Sequence, residues 1–173
     1  MAHNIQAFIS SLDCLENAAS KLKKAHVVSL PQGFAMLPVL DTLRQEAATI
    51  YPSQETESFA EFYDLTDSVA QLGAQMSQQT PVAYIETEYW GGDGTQAAIV
   101  WHQRKVILRP YTRQLDWRQD RVTKLAVRRG PISIALNRMG VELDEELDEY
   151  DALGLGRFRS NEDWIAQRIW GGL

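Results

Sequence analysis

Apolar positions along the first twenty residues recur at three- and four-residue intervals. Ile5, Phe8, Ile9, Leu12, Leu15, Ala19 and Leu22 predict an amphipathic helix from about Asn4 to Lys23. Lys21, Lys23 and Lys24 then fall in its last turn, where cations oppose the negative end of the helix dipole. His26 to Leu30 is a short β-prone run, Pro31-Gln32-Gly33 a turn, and Phe34 to Leu37 a second run that pairs back as a hairpin. A short helix through Leu43 and Ala47 follows Pro38 and ends at Tyr51-Pro52-Ser53. Ser58 and Glu61 form a capping box, and Phe59, Phe62, Thr66, Val69, Leu72, Gly73 and Met76 predict a second long helix behind it.

The middle of the chain alternates with period two. Val82 to Trp90 reads as a strand, Gly91-Gly92-Asp93-Gly94 as a turn, and Thr95 to His102 as the returning strand. Gln103-Arg104 closes a second tight turn into Lys105 to Arg109, which Pro110 is expected to stop. Three successive antiparallel strands make a meander. Alternation places Val82, Tyr84, Glu86 and Glu88 on one face, with Ala83, Ile85, Thr87 and Tyr89 on the other. Ile85, Ile99, Val106 and Leu108 are the candidate core positions. Tyr111 to Val127 shows neither period clearly. Gly130-Pro131 opens a helix carrying Ile132, Ala135, Leu136 and Met139, and Gly140 ends it. Asn161 is placed as the cap of a final helix with Trp164, Ile165, Arg168 and Ile169 on one stripe.

Helices bracketing a block of strands predict an α+β fold, an antiparallel β-meander with helices packed on one face. The 173 residues suit a single domain, residues 1–173, with one core. Met1 to Ser11 lacks the basic start and apolar run of a signal peptide, and no stretch is long enough to span a membrane. The expectation is a cytoplasmic protein without membrane association.

The formal charge of −6 argues against general nucleic-acid binding and is compatible with solubility in the cytosol or with a basic partner. Cys14 is the one cysteine, so neither an intrachain disulfide nor a cysteine-based zinc site can form. Arg104, Lys105, Arg109, Arg113, Arg118, Arg121, Lys124, Arg128, Arg129 and Arg138 concentrate in one segment. Glu142, Asp144, Glu145, Glu146, Asp148, Glu149 and Asp151 follow. The two regions pair in part, and the acidic stretch is too dense to be neutralised locally throughout.

Chemistry-bearing constellations are sparse. The glycine turn at 91–94 leads into a strand and lacks a Gly-Lys-Ser/Thr ending, so it reads as a hairpin loop and not a phosphate cradle. Glu86 and Glu88, near Asp93 and Gln96, are two carboxylates on one sheet face. A solvated outer face is the plain reading, and a divalent-cation site the sharper one. His3, His26 and His102 make no ligand-spaced pair, and no nucleophile elbow occurs. No catalytic residue, metal or cofactor is assigned.

The runs Tyr63-Asp64-Leu65-Thr66, Pro81-Val82-Ala83-Tyr84 and Glu88-Tyr89-Trp90-Gly91-Gly92-Asp93-Gly94-Thr95-Gln96 resemble a family of uncharacterised bacterial proteins. Its landmark is an aromatic–Gly–Gly–x–Gly–x–Gln hairpin followed by a Val-Trp strand. Gly130-Pro131-Ile132 and the run from Asp148 to Leu155 are similar too, so the likeness spans roughly the last two-thirds of the chain. It implies an immunity protein of a bacterial toxin system and carries no catalytic residues across. The expected function is therefore a non-enzymatic, toxin-neutralising inhibitor that offers an acidic surface to a basic toxin domain. Its contact residues would be Glu142, Asp144, Glu145, Glu146, Asp148 and Asp151, with Glu86 and Glu88 as a second patch. The alternatives are a metal-dependent hydrolase using Glu86, Glu88, Asp93 and His102, and a scaffold subunit of a larger assembly.

Overall fold

A computed structural model describes residues 3–53, 59–90, 93–116, 130–145 and 148–170. The fold is α+β, built on an antiparallel sheet. Strand β1 (His3–Ser11) runs directly into helix α1 (Leu12–Ala19), capped by the Ser11 hydroxyl, which accepts from the Cys14 N–H at 3.4 Å. Strands β2 (Val28–Ser29) and β3 (Phe34–Pro38) form the expected hairpin around a short 3₁₀ turn at Pro31–Gly33. Helices α2 (Asp41–Ile50) and α3 (Asp67–Met76) precede the meander of β4 (Val82–Trp90), β5 (Asp93–His102) and β6 (Lys105–Asp116). Helices α4 (Pro131–Arg138), α5 (Glu149–Ala152) and α6 (Asn161–Trp170) follow. The six strands lie in the order β2-β3-β1-β4-β5-β6, every neighbouring pair antiparallel.

The predicted N-terminal helix from Asn4 is corrected. Its first half is β1, the strand that joins the hairpin to the meander. Ile5, Ala7 and Ile9 enter a cluster with Ile85, Val100, Ile132, Leu136 and Trp164. Phe8 enters a second cluster with Leu15, Leu37, Leu43, Val69, Tyr84 and Trp101. A strand buried on both faces shows no clean alternation, and the continuous run Ala7-Phe8-Ile9 satisfies helical spacing as well.

Those two clusters lie on opposite faces of the sheet, so the helices cover both faces and not one. Helices α1, α2 and α3 pack on the face of Phe8 and Tyr84, and α4, α5 and α6 on the face of Ile5 and Ile85. Gly73 lets α3 approach closely, since a β-carbon there would lie 2.8 Å from the Phe8 ring and 2.9 Å from Trp101. The second long helix begins later than its expected start at Ser58. Thr66 caps it by accepting from the Val69 N–H at 3.3 Å, and Phe59 and Phe62 sit in the preceding loop. Ser58 itself lies outside the described residues.

Three smaller expectations are also revised. Pro110 does not end β6, because it falls at the register shift opposite Ile99 on an outermost strand, where a missing N–H costs the ladder nothing. Ser160, not Asn161, caps α6, its hydroxyl accepting from the Asp163 N–H at 3.1 Å. Asn161 is buried and bridges instead, donating to the Gln6 carbonyl at 2.9 Å and the Val39 carbonyl at 3.2 Å while accepting from the Gln6 N–H. Of the candidate core, Ile85 and Ile99 are buried, Leu108 is partly covered and Val106 is exposed. The ambiguous residues 117–127 lie outside the described residues, and 111–116 extend β6. Among the described residues, no helix is long and apolar enough to cross a membrane.

If β1 is the keystone of both cores, Phe8→Ala should destabilise the fold by about 3–5 kcal/mol in urea denaturation. Val106→Ala, on the exposed edge, should stay within about 0.5 kcal/mol.

Candidate partner-binding site

Among the described residues, α1, α2 and α3 pack on the part of their sheet face around Phe8 and Tyr84. Beyond Tyr84 that face turns polar. Register aligns Gln6 and Ala97 on either side of Glu86, and Asn4 and Thr95 on either side of Glu88. These residues, with Glu61, Tyr63 and Asp64 from the loop before α3, line a cavity of about 170 Å³.

The predicted face assignment of β4 is present, but the plain reading of Glu86 as a solvated surface residue is corrected. Its relative exposure is 5%, because the loop before α3 folds over it. One carboxylate oxygen accepts from the Tyr63 N–H at 2.8 Å. The other accepts from the Asp64 N–H at 2.9 Å and from the Tyr84 hydroxyl at 2.9 Å. Burial raises the Glu86 pKa above its ordinary value, and the three donors oppose that shift by favouring the anion. Burial, then the Glu86 charge beside it, raises the Tyr84 hydroxyl well above the usual range, so it remains a donor. Arg44 ties down the same loop, donating to the Asp64 carbonyl at 2.6 Å and to the Val39 carbonyl at 3.4 Å. Glu88, two residues on, is exposed, and so is Trp90 at 77%. Tyr63, above them on the loop, is 72% exposed.

This geometry gives no support to the hydrolase alternative. Both Glu86 oxygens are engaged by N–H and O–H donors, and among the described residues no three His, Cys, Asp or Glu side chains converge. His102 is five residues along β5 from Ala97, the residue opposite Glu86, a separation of about 17 Å at strand rise. Its ring nitrogen contacts the Gln79 carbonyl at 3.3 Å. The side chain of Asp93 lies outside the described residues.

The other candidate set is in the opposite layer. Gln32, held at φ 59° in the β2–β3 turn, grips the start of the acidic stretch with both ends of its amide. It donates to the Glu142 carbonyl at 2.8 Å and accepts from the Glu142 N–H at 2.9 Å. Glu142, Asp144 and Glu145 are exposed, as is Asp151. Asp148 serves as the cap of α5, accepting from the Asp151 N–H at 3.0 Å. Glu149 is buried and accepts from the Asn137 amide at 3.0 Å. Glu146 lies outside the described residues, as do residues 117–129 of the basic segment.

The far end of the acidic stretch is tied to β1. The Tyr150 hydroxyl lies 3.1 Å from His3 Nε2, and His3 Nδ1 lies 2.8 Å from the Thr87 hydroxyl, which also accepts from the Ile5 N–H. Burial lowers the His3 pKa below its ordinary value of 6.5, and the nearby Arg159 charge pushes the same way. Burial likewise pushes the Tyr150 phenol well up.

The two acidic patches named from the sequence lie in opposite layers, Glu86 and Glu88 on the Phe8 face and the stretch after Gly140 beside the other. Sequence reasoning missed Asn4, Gln6, Tyr63, Asp64 and Trp90. Reading β1 as a strand would have placed Asn4 and Gln6 in the row of Glu86 and Glu88. In comparisons with known proteins, no family, curated protein or solved structure matches the chain.

Glu86→Gln sets an amide N–H₂ among donors that need an acceptor, and should cost about 1–3 kcal/mol in chemical denaturation, with Glu88→Gln near neutral. His3 favours the neutral ring in the folded state, so its contribution is fully present above pH 6.5 and is lost as pH falls below that value. Denaturation curves from pH 8 to 5 should show the wild type losing stability relative to His3→Gln over that window.

Proposed function

We propose that this chain is a non-enzymatic binding protein that engages a basic protein partner through the acidic stretch after Gly140. The toxin-neutralising immunity type is its specific form. The supporting observation is the exposure of Glu142, Asp144, Glu145 and Asp151 on a backbone fixed at one end by Gln32 and at the other by the His3–Tyr150 contact. Carboxylates held in place before binding lose less conformational freedom when a partner arrives. A field of one sign also accelerates encounter with an oppositely charged surface and rejects acidic competitors. Asp148 and Glu149 contribute differently, as parts of the scaffold that holds the others.

The test is the triple reversal Glu142→Lys, Asp144→Lys and Glu145→Lys, co-expressed with a candidate toxin domain. Loss of protection is expected, with a binding penalty of about 2–5 kcal/mol for any of these charges that becomes buried and paired in the complex. Undiminished protection by the triple variant would exclude this stretch as the interface.

A further inference from the structure

We propose that the open, polar half of the sheet at Glu86 and Glu88 is a second docking surface, which receives an arginine side chain projecting from a protein partner. The proposal shares with the reading above only the premise of a basic partner, and it places the contact on the opposite face of the sheet.

The face lacks a helical cover among the described residues. The layer of α1, α2 and α3 packs on Phe8, Tyr84, Ile99 and Trp101 and stops short of Asn4, Gln6, Glu88 and Thr95. Two large aromatics stand beside it in water, Tyr63 on the loop and Trp90 at the end of the Glu86–Glu88 row. Exposure of that degree is uncommon for such residues, and Trp and Tyr are the side chains most often central to protein interfaces.

Charge selects the occupant. Glu61, Asp64, Glu86 and Glu88 line the cavity, and among the described residues no Lys or Arg does; Arg44 pairs with Asp64 from outside the lining at 4.0 Å, which leaves Glu88 as the exposed carboxylate. Size narrows it further. A volume of about 170 Å³ is below the ~300 Å³ at which cofactor and drug-sized pockets begin. It leaves room for the head of one side chain. A guanidinium suits it better than an ammonium, because its plane stacks on an aromatic face while its fork of N–H donors meets a carboxylate.

Roles divide among the residues. Glu86 is engaged by the Tyr63 and Asp64 N–H groups and the Tyr84 hydroxyl. It therefore supplies a fixed negative floor and holds Tyr63 in position. Glu88 presents the accessible carboxylate, and Trp90 and Tyr63 supply the aromatic faces.

The experiment uses the isotopically labelled full chain and four probes. These are a capped Gly-Gly-Arg-Gly-Gly peptide, its lysine counterpart, its neutral citrulline counterpart and cellobiose. Saturable amide shifts at Tyr63, Asp64 and Glu88 and at the Trp90 indole are expected with the arginine peptide. The lysine peptide should bind less tightly, the citrulline peptide about tenfold more weakly, and cellobiose should leave the spectrum unchanged. Trp90→Ala and Glu88→Gln should each weaken arginine-peptide binding about tenfold, both at exposed positions where the fold is preserved. The triple lysine reversal at 142, 144 and 145 should leave these shifts in place, which separates this surface from the acidic stretch. No saturable shift, equal response to lysine, citrulline or cellobiose, or shifts that move to residues 142–151 would overturn the proposal.

Discussion

Strand β1 carries the architecture because it is buried on both sides at once. Its odd-numbered residues feed one core and Phe8 the other, and its edges hold β3 and β4. Without it the β2–β3 hairpin and the β4–β6 meander would be separate pieces. A two-stranded hairpin is marginal alone, whereas a six-stranded sheet with helices on both faces has two layers of apolar burial behind it. The C-terminal segment completes this dependence. Asn161 inserts between the backbones of Gln6 and Val39, where the β1–β3 ladder ends, and the Asn4 N–H donates to the Arg159 carbonyl at 2.7 Å. The last helix is therefore fixed to the first strand by backbone hydrogen bonding as well as by packing of Trp164.

Glu86 does locally what β1 does globally. Placed where a hydrophobic face becomes polar, it gathers the loop before α3 by two consecutive N–H groups. Burying the charge is costly, and three hydrogen bonds offset the cost. Tyr63 and Asp64, far from Glu88 in sequence, line one cavity with it around this residue. In the other layer, Glu142 is held by a glutamine amide and Tyr150 by a histidine contact.

What could be read from the sequence follows from how strongly each local signal was expressed. The second turn of the meander carries its own chemistry, and Gln103 and Arg104 adopt φ of 52° and 62°, the conformation a tight hairpin demands. Of the glycine turn expected at 91–94, Asp93 and Gly94 belong to β5, and Gly91 and Gly92 lie outside the described residues. The β4 face assignment follows from strict alternation. The N-terminal segment was misread because Ala7-Phe8-Ile9 is apolar on every side, and only tertiary placement distinguishes a central strand from a helix there. The start of α3 was placed too early because Ser58 and Glu61 match a capping box, whereas Thr66, read as a position inside the helix, is its cap. Acidity was visible as composition. Its division between two faces was not, because that division depends on which layer each segment joins. Glu86 and Glu88 look equivalent in the sequence and differ in the structure because a loop closes over only one of them.

The outer rim of β6 has a consequence for how copies of the chain meet one another. Among the described residues the twelve-residue β6 is an outermost strand, and an edge of that kind is where another strand can add. Here Pro110 and the neighbouring register shift divide that edge into runs of five and six residues, 105–109 and 111–116. The first run carries Lys105 and Arg109, the second Arg113 and Asp116. Segments that template amyloid are six or seven residues long, low in charge and free of proline. The rim thus combines the traits that discourage lateral growth into fibrils.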